Sequence, residues 1–217
     1  MSNLDFQAMR RAMVDSQLRT NAVNDPRVTA AIESVAREDF VPDERKAVAY
    51  IDRAVPLTPT RAMNPALITA RLIVEAGIGP TDSVLIVGAG TGYAAAVVAG
   101  LAQSVVALES DSALVSAAKQ HLKGLDNVTV VSGDLVKGHA KGAPYDVILI
   151  DGAVEDVPDA LVHQLAAGGR LAAAVVEGGV SRLCVGYKAG EGFGMTPVLD
   201  ADAVALPGFA KPKGFSF

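Results

Sequence analysis

Between residues 84 and 97 the chain reads VLIVGAGTGYAAAV, an apolar run that stops at Gly88, Gly90 and Gly92 and resumes as an alanine-rich helix. Glycines at this spacing let the chain turn sharply, let a ligand approach the main chain closely, and present the N–H groups that open a helix. Three acids stand at comparable places further on. Glu109 ends SVVALE, 17 residues after Gly92, Asp134 follows NVTVVSG, and Asp151 ends YDVILID. A carboxylate in the first place can accept both hydroxyls of a ribose. One in the second can accept an adenine amino group, and one in the third faces the reacting group. Each acid alone reads as a solvated residue at a strand end. All three behind three glycines form a constellation that chance explains poorly.

The spacing also separates two ligand classes. Dinucleotide sites use G-x-G-x-x-G, whose third glycine lets helix and strand pack closely beside a pyrophosphate. Here the pattern is G-x-G-x-G, and Tyr93 takes the place of that third glycine. S-adenosylmethionine has no pyrophosphate; its sulfonium and amino-acid tail need a snug turn rather than an anion cradle. S-adenosylmethionine is therefore the expected cofactor, held by Gly88, Ala89, Gly90, Gly92, Tyr93, Glu109, Ser110, Asp134, Leu135 and Asp151. Tyr93 is expected over the cofactor's tail or, more blandly, in helix packing. An NAD(P) oxidoreductase is further disfavoured because no Tyr-x-x-x-Lys is present and His139 and His163 fall in a loop and a helix.

The elements that must position these residues follow from hydrophobic period. VLIVG (84–88), SVVALE (104–109), NVTVVSGD (127–134), YDVILID (145–151) and GGRLAAAVV (168–176) are short apolar runs of the kind found in parallel strands buried on both faces. Helical spacing separates them at 91–102, 111–123 and 157–165. Alternation of this kind predicts an α/β fold, a doubly wound Rossmann-like sheet, with 181–188 and 195–206 as antiparallel closing strands. Upstream, Met9, Met13, Val14 and Leu18 share a helical stripe, Asn24 or Asp25 caps a helix opened by Pro26, and VPLTPTRAMN (55–64) reads as a loop. PALITARLIVEAGI (65–78) is a helix between Pro65 and Gly77. The expected division is a helical extension or cap over 1–78 and a cofactor-binding core over 79–217.

Composition narrows the function. Half of the 217 residues are hydrophobic, enough for a packed core, and no apolar run is long enough to span a bilayer. With no secretory pattern at the N-terminus the chain reads as cytoplasmic, without a membrane partner. A net charge of −5, no Trp and few other aromatics argue against nucleic acid. The lone Cys184, expected as buried filler, and three scattered histidines, His121, His139 and His163, suggest neither a disulfide nor a metal site.

With those residues in place the chain resembles the protein-L-isoaspartate O-methyltransferase family over most of its length. MVDSQLRTNAVNDPRVTAAIESVAREDFVP is similar to that family's opening helices, VGAGTGYAAAVVAGLA to its cofactor loop, and APYDVIL with VPDALVHQLAAGGRL to its fourth strand, helix and fifth strand. The resemblance implies methyl transfer to the α-carboxylate of isoaspartyl residues in damaged proteins, the first step of repair, with a protein or peptide acceptor. The family's T-I-S-x-P-like stretch aligns with VPLTPTRAMNPALITA, which puts Asn64 where a hydroxyl residue belongs. Asn64 can still donate through its amide, although an N-cap on the helix at Pro65 is the favoured reading.

Asp151 stands where the family has small neutral residues. There a carboxylate would repel an anionic acceptor, or serve as a base, or bind a cationic or hydroxyl-bearing one. Asn64 and Asp151 are thus the candidate catalytic pair. Gly133-Asp134-Leu135 loses the second glycine of the family's G-D-G, and the tail ALPGFAKPKGFSF lacks its V-R-F-like strand. Phe209, Phe215 and Phe217 of that tail are expected on the N-terminal helices or on a second copy. The alternatives are a same-fold methyltransferase with another, unidentified small acceptor, or a protein that binds S-adenosylmethionine without isoaspartyl activity.

Overall fold

The computed structural model describes residues 4–211. Helix α1 (Phe6–Met13) begins at Asp5, whose side chain accepts the Ala8 N–H, and passes into one π-helical turn over Val14–Leu18. Helix α2 (Pro26–Ser34) is capped by Asp25, which accepts the Arg27 N–H, with proline in its first turn as the sequence predicts. Short 3-10 turns over Arg37–Phe40 and Asp43–Val48 lead to a segment expected as a loop. That segment is instead a hairpin, in which β1 (Val55–Pro56) pairs antiparallel with β2 (Ala62–Met63). Two-residue strands leave no periodic trace, so only the prolines and threonines were visible. Helix α3 (Ala66–Ala76) follows Pro65 and stops at Gly77, whose φ of 58° suits a residue without Cβ.

The expected sheet then builds up. Strands β3 (Ser83–Val87), β4 (Ser104–Glu109), β5 (Val128–Ser132), β6 (Tyr145–Val154) and β7 (Leu165–Glu177) run parallel, and β8 (Val180–Ala189) and β9 (Gly192–Asp200) close the sheet antiparallel. The order is β5-β4-β3-β6-β7-β8-β9. Helices α4 (Tyr93–Ala99), α5 (Ser112–His121) and α6 (Asp159–Val162) are the crossovers. Successive strand residues point to opposite faces. Val84 and Ile86 therefore join one core with α1 to α4, while Leu85 and Val87 join the other with Leu161 of α6.

Two departures bear on the site. The helix expected over 157–165 shrinks to four residues because Leu165 is drawn into β7, opposite Tyr145. The strand expected over 195–206 ends at Asp200, and the chain turns back across the carboxyl end of β6. There Ala153 N–H donates to Val204 O (2.7 Å) and Leu206 N–H donates to Ala153 O (2.9 Å). Phe209 enters the core beside Leu135 and Leu161, not the N-terminal helices; Phe215 and Phe217 lie outside the described residues. Cys184 is buried on β8, as expected. Among the described residues no helix is long and apolar enough to cross a membrane.

Candidate active site

The glycine turn sits at the carboxyl end of β3, between β4 and β6, where the strand order changes direction. Gly88, Gly90 and Gly92 have φ of 81°, 57° and 103°, left-handed values that other residues adopt at a cost. Gly88 and Ala89 donate their N–H groups to Leu108 O (3.0 Å each), which ties the turn to β4. Gly90 donates to Glu109 Oε2 at 2.8 Å. Tyr93 opens α4 and is buried: the Arg37 guanidinium lies 4.6 Å from its ring centre, and Phe40 meets it edge-on at 5.7 Å. Its position is thus fixed by the N-terminal segment, and burial pushes its hydroxyl pKa up.

Glu109 is the best-satisfied side chain of the site, and its principal partner was not foreseen. Arg61, at the tip of the β1–β2 hairpin, donates from Nη1 to Oε1 (2.6 Å) and from Nη2 to Oε2 (2.8 Å). The N–H groups of Ser110 and Asp111 add bonds to Oε1 at 2.7 and 3.0 Å. Glu109 is 0 % and Arg61 6 % exposed. A carboxylate expected to be free for a ribose is held by an arginine. Nothing in the pattern around a single arginine in a proline-interrupted stretch could have signalled this.

Asp151 lies within β6, which runs on to Val154 instead of ending at 151, one residue past the strand's last pairing with β3; its Oδ1 accepts from Asn64 Nδ2 (2.9 Å) and Thr69 Oγ1 (3.1 Å). The sequence-favoured role for Asn64, an N-cap on α3, is overturned: Pro65 holds the cap position and no side chain bonds there. Asn64 instead bridges Asp151 to the tail, because its Oδ1 accepts the Val204 N–H at 2.8 Å. Its own carbonyl is gripped by Arg37 Nη2 at 2.6 Å. A sliver of Asp151 stays accessible, yet surrounding protein raises its pKa by desolvation, against lowering from the bonds of Asn64 and Thr69 and the charges of Arg37 and Arg61.

The remaining candidates are more peripheral. Asp134 caps the turn Leu135–Lys137, accepting Val136 N–H at 3.3 Å, and pairs with Lys137 at 3.4 Å in solvent. Leu135 is buried in the second core beside Leu206 and Phe209. Among the described residues no group of three or more His, Cys, Asp or Glu is placed to hold a metal.

Leu57, Asn64, Gly88, Ala89, Gly90, Tyr93 and Asp151 line one cavity of about 10 Å³. A ligand pocket needs roughly 300–1,000 Å³. Two leucines also press on the turn. A methyl group built on Gly90 would lie 3.3 Å from Leu57, and one on Gly88 2.8 Å from both Leu206 methyls, so these side chains rest directly on the glycines. The donor set suits an adenosyl cofactor: left-handed glycines, a strand-end carboxylate ringed by N–H groups, and Asp134 beyond it.

A parallel sheet of this order with a G-x-G-x-G turn and a second-strand acid is the apparatus of an S-adenosylmethionine-dependent methyltransferase. The chain belongs to the protein-L-isoaspartate O-methyltransferase family: residues 8–200 match the family model for protein-L-isoaspartate(D-aspartate) O-methyltransferase. A protein-L-isoaspartate O-methyltransferase of Koribacter versatilis is 42% identical over 168 residues, 76% of either chain. One from Herpetosiphon aurantiacus is 36% identical over 205 residues, 94% of this chain and 92% of that one. The fold overlays on a solved protein-L-isoaspartate O-methyltransferase with a TM-score of 0.80 at 22% identity, covering 94% of this chain and 66% of that one. A Plasmodium falciparum protein described as a putative member, solved with S-adenosyl-L-homocysteine, gives 0.78 at 17% identity over 94% and 99% of the two chains.

Proposed function

We propose that this chain transfers the methyl group of S-adenosylmethionine to the carboxylate of an isoaspartyl residue in a protein or peptide. The observation that carries the reading is the family match over residues 8–200, which spans the cofactor turn and the hairpin and Asn64 on the acceptor side alike. When bound, the cofactor supplies an electrophilic methyl and a neutral thioether leaving group. The acceptor carboxylate is already a nucleophile, so the protein's task is to orient it in line and keep water away.

Asp151 and Asn64 would perform that task. An ionised Asp151 would repel the acceptor, but burial favours its neutral form. Asn64 and Thr69 hold Oδ1, which leaves Oδ2 for an acceptor oxygen, to which it would donate when protonated. Methyl transfer to a carboxylate that is already ionised needs no base. Residues 1–78 would act as a cap that delivers Asn64 and the hairpin to the core at 79–217.

Methyl-labelled S-adenosylmethionine, incubated with the protein and either an isoaspartyl peptide or its normal aspartyl counterpart, tests this. Base-labile label on the isoaspartyl peptide alone is the expected result. No label on it, in a preparation that binds the cofactor, would overturn the acceptor assignment.

A further inference from the structure

We propose that the 55–63 hairpin is a latch and that its Arg61 stands in for the cofactor's ribose on Glu109. The inference rests on the reading that S-adenosylmethionine binds at the glycine turn. It concerns what must leave first.

A ribose diol held by a strand-end carboxylate donates two O–H bonds to its two oxygens. Arg61 already donates two parallel N–H bonds to the same two atoms, at 2.6 and 2.8 Å. Two such donors cannot share one carboxylate whose oxygens also receive the N–H groups of Gly90, Ser110 and Asp111. The guanidinium is moreover charged and the diol is neutral, so Arg61 is the electrostatically better partner for a buried carboxylate. Any cofactor that binds must make good that loss from its own contacts.

The hairpin is built to move as a piece. Leu57 and Thr58 both donate their N–H groups to Arg61 O, at 2.9 and 3.0 Å, and the Thr58 hydroxyl accepts the Arg61 N–H at 3.1 Å. Its ends are pinned by buried Val55 and Met63. Leu57, on the same tip, seals Gly90, so one displacement uncovers both the carboxylate and the turn. There is room for it: Leu57 and Thr58 also border an open cleft of about 460 Å³ walled by Phe40, Leu114 and His121. Arg61 is also incompletely held. Its buried Nε has no partner among the described residues, so the closed arrangement leaves one polar group unsatisfied.

Titration calorimetry with S-adenosylhomocysteine on the wild-type chain, Arg61→Ala and Arg61→Lys tests the latch. Arg61→Ala is expected to bind at least tenfold more tightly than wild type, with Arg61→Lys between them because it keeps the charge and loses the fork. Equal or weaker binding by Arg61→Ala would overturn the latch and leave the cofactor site standing. Binding by none of the three proteins, with all of them folded by circular dichroism, would overturn the cofactor reading and the latch with it. A further arm needs no variant. Stopped-flow association of S-adenosylhomocysteine with the wild-type chain should level off at high ligand, at the rate of latch opening, whereas a linear rise throughout would contradict it.

Discussion

Arg61 and Glu109 lie 48 residues apart in the chain and meet through two parallel bonds inside the protein, one charge on the β1–β2 hairpin and one at the end of a central strand. The pair does two things. It locks the hairpin over the glycine turn, and it neutralises a carboxylate that the sheet buries completely.

Removing one partner of a buried pair leaves the other charged and stranded, at a cost of roughly 3–5 kcal/mol. For a chain of this size each kcal/mol moves the melting temperature by about 2–4 °C. Glu109→Gln should therefore lower Tm by roughly 6–20 °C. A thermal melt followed by circular dichroism checks this, and an unchanged Tm would mean that the hairpin releases Arg61 to solvent at no cost.

Asp151 should give stability a particular pH dependence. Its carboxyl titrates above the ordinary 3.8 in the folded protein because burial disfavours its charge. Between those two values the folded chain holds a proton that the unfolded chain releases. The associated stability is complete below the unfolded value and is lost as pH rises through the folded one. Asp151→Asn has no proton to lose and its amide oxygen still accepts from Asn64 and Thr69. Its stability relative to wild type should therefore climb as pH rises above the ordinary carboxylate value in urea titrations; a difference that stays flat would contradict the burial argument.

What the sequence revealed and concealed divides along physical lines. SVVALE became β4 residue for residue, because its middle, Val105 to Leu108, is a continuous apolar run of the kind that a strand covered on both faces writes. Glu109 could be found because a strand's carboxyl end follows directly from where its apolar run stops, whereas β5 ends at Ser132, before Asp134, and β6 runs past Asp151 to Val154. The hairpin at 55–63 could not, since two paired residues a side make no period. Thr69 was hidden inside an apolar helix, where its hydroxyl looked like one more β-branched residue. Leu206 was read as part of a strand; its place on Gly88 depends on the chain's turn after Asp200, which no local pattern announces.

That contact makes its own prediction. Gly88→Ala places a methyl 2.8 Å from both Leu206 methyls at a φ of 81°, and the backbone alone costs about 1–2 kcal/mol. Leu206→Ala, at a nearly buried site, costs about 2–5 kcal/mol by itself. Because the two share one space, the double variant should be more stable than the sum of the singles predicts, by roughly 0.5–3 kcal/mol. Strict additivity in denaturant unfolding would show that Leu206 does not rest on the turn.

Asn64 joins Asp151 to the tail. Asn64→Ala takes the partner from the Val204 N–H and one donor from Asp151, so a loss of about 1–3 kcal/mol in stability is expected. In the methylation assay the acceptor KM should rise more than the cofactor KM, since Glu109 and the glycines are untouched. Equal changes in both would assign Asn64 to the general architecture of the site.

The crystal structure of the chain with S-adenosylhomocysteine tests the shared use of Glu109 most directly. Ribose hydroxyls are expected on both Glu109 oxygens, with Arg61 displaced and Leu57 drawn off Gly90. A complex in which the ligand binds while Arg61 and Glu109 keep their two bonds would contradict it.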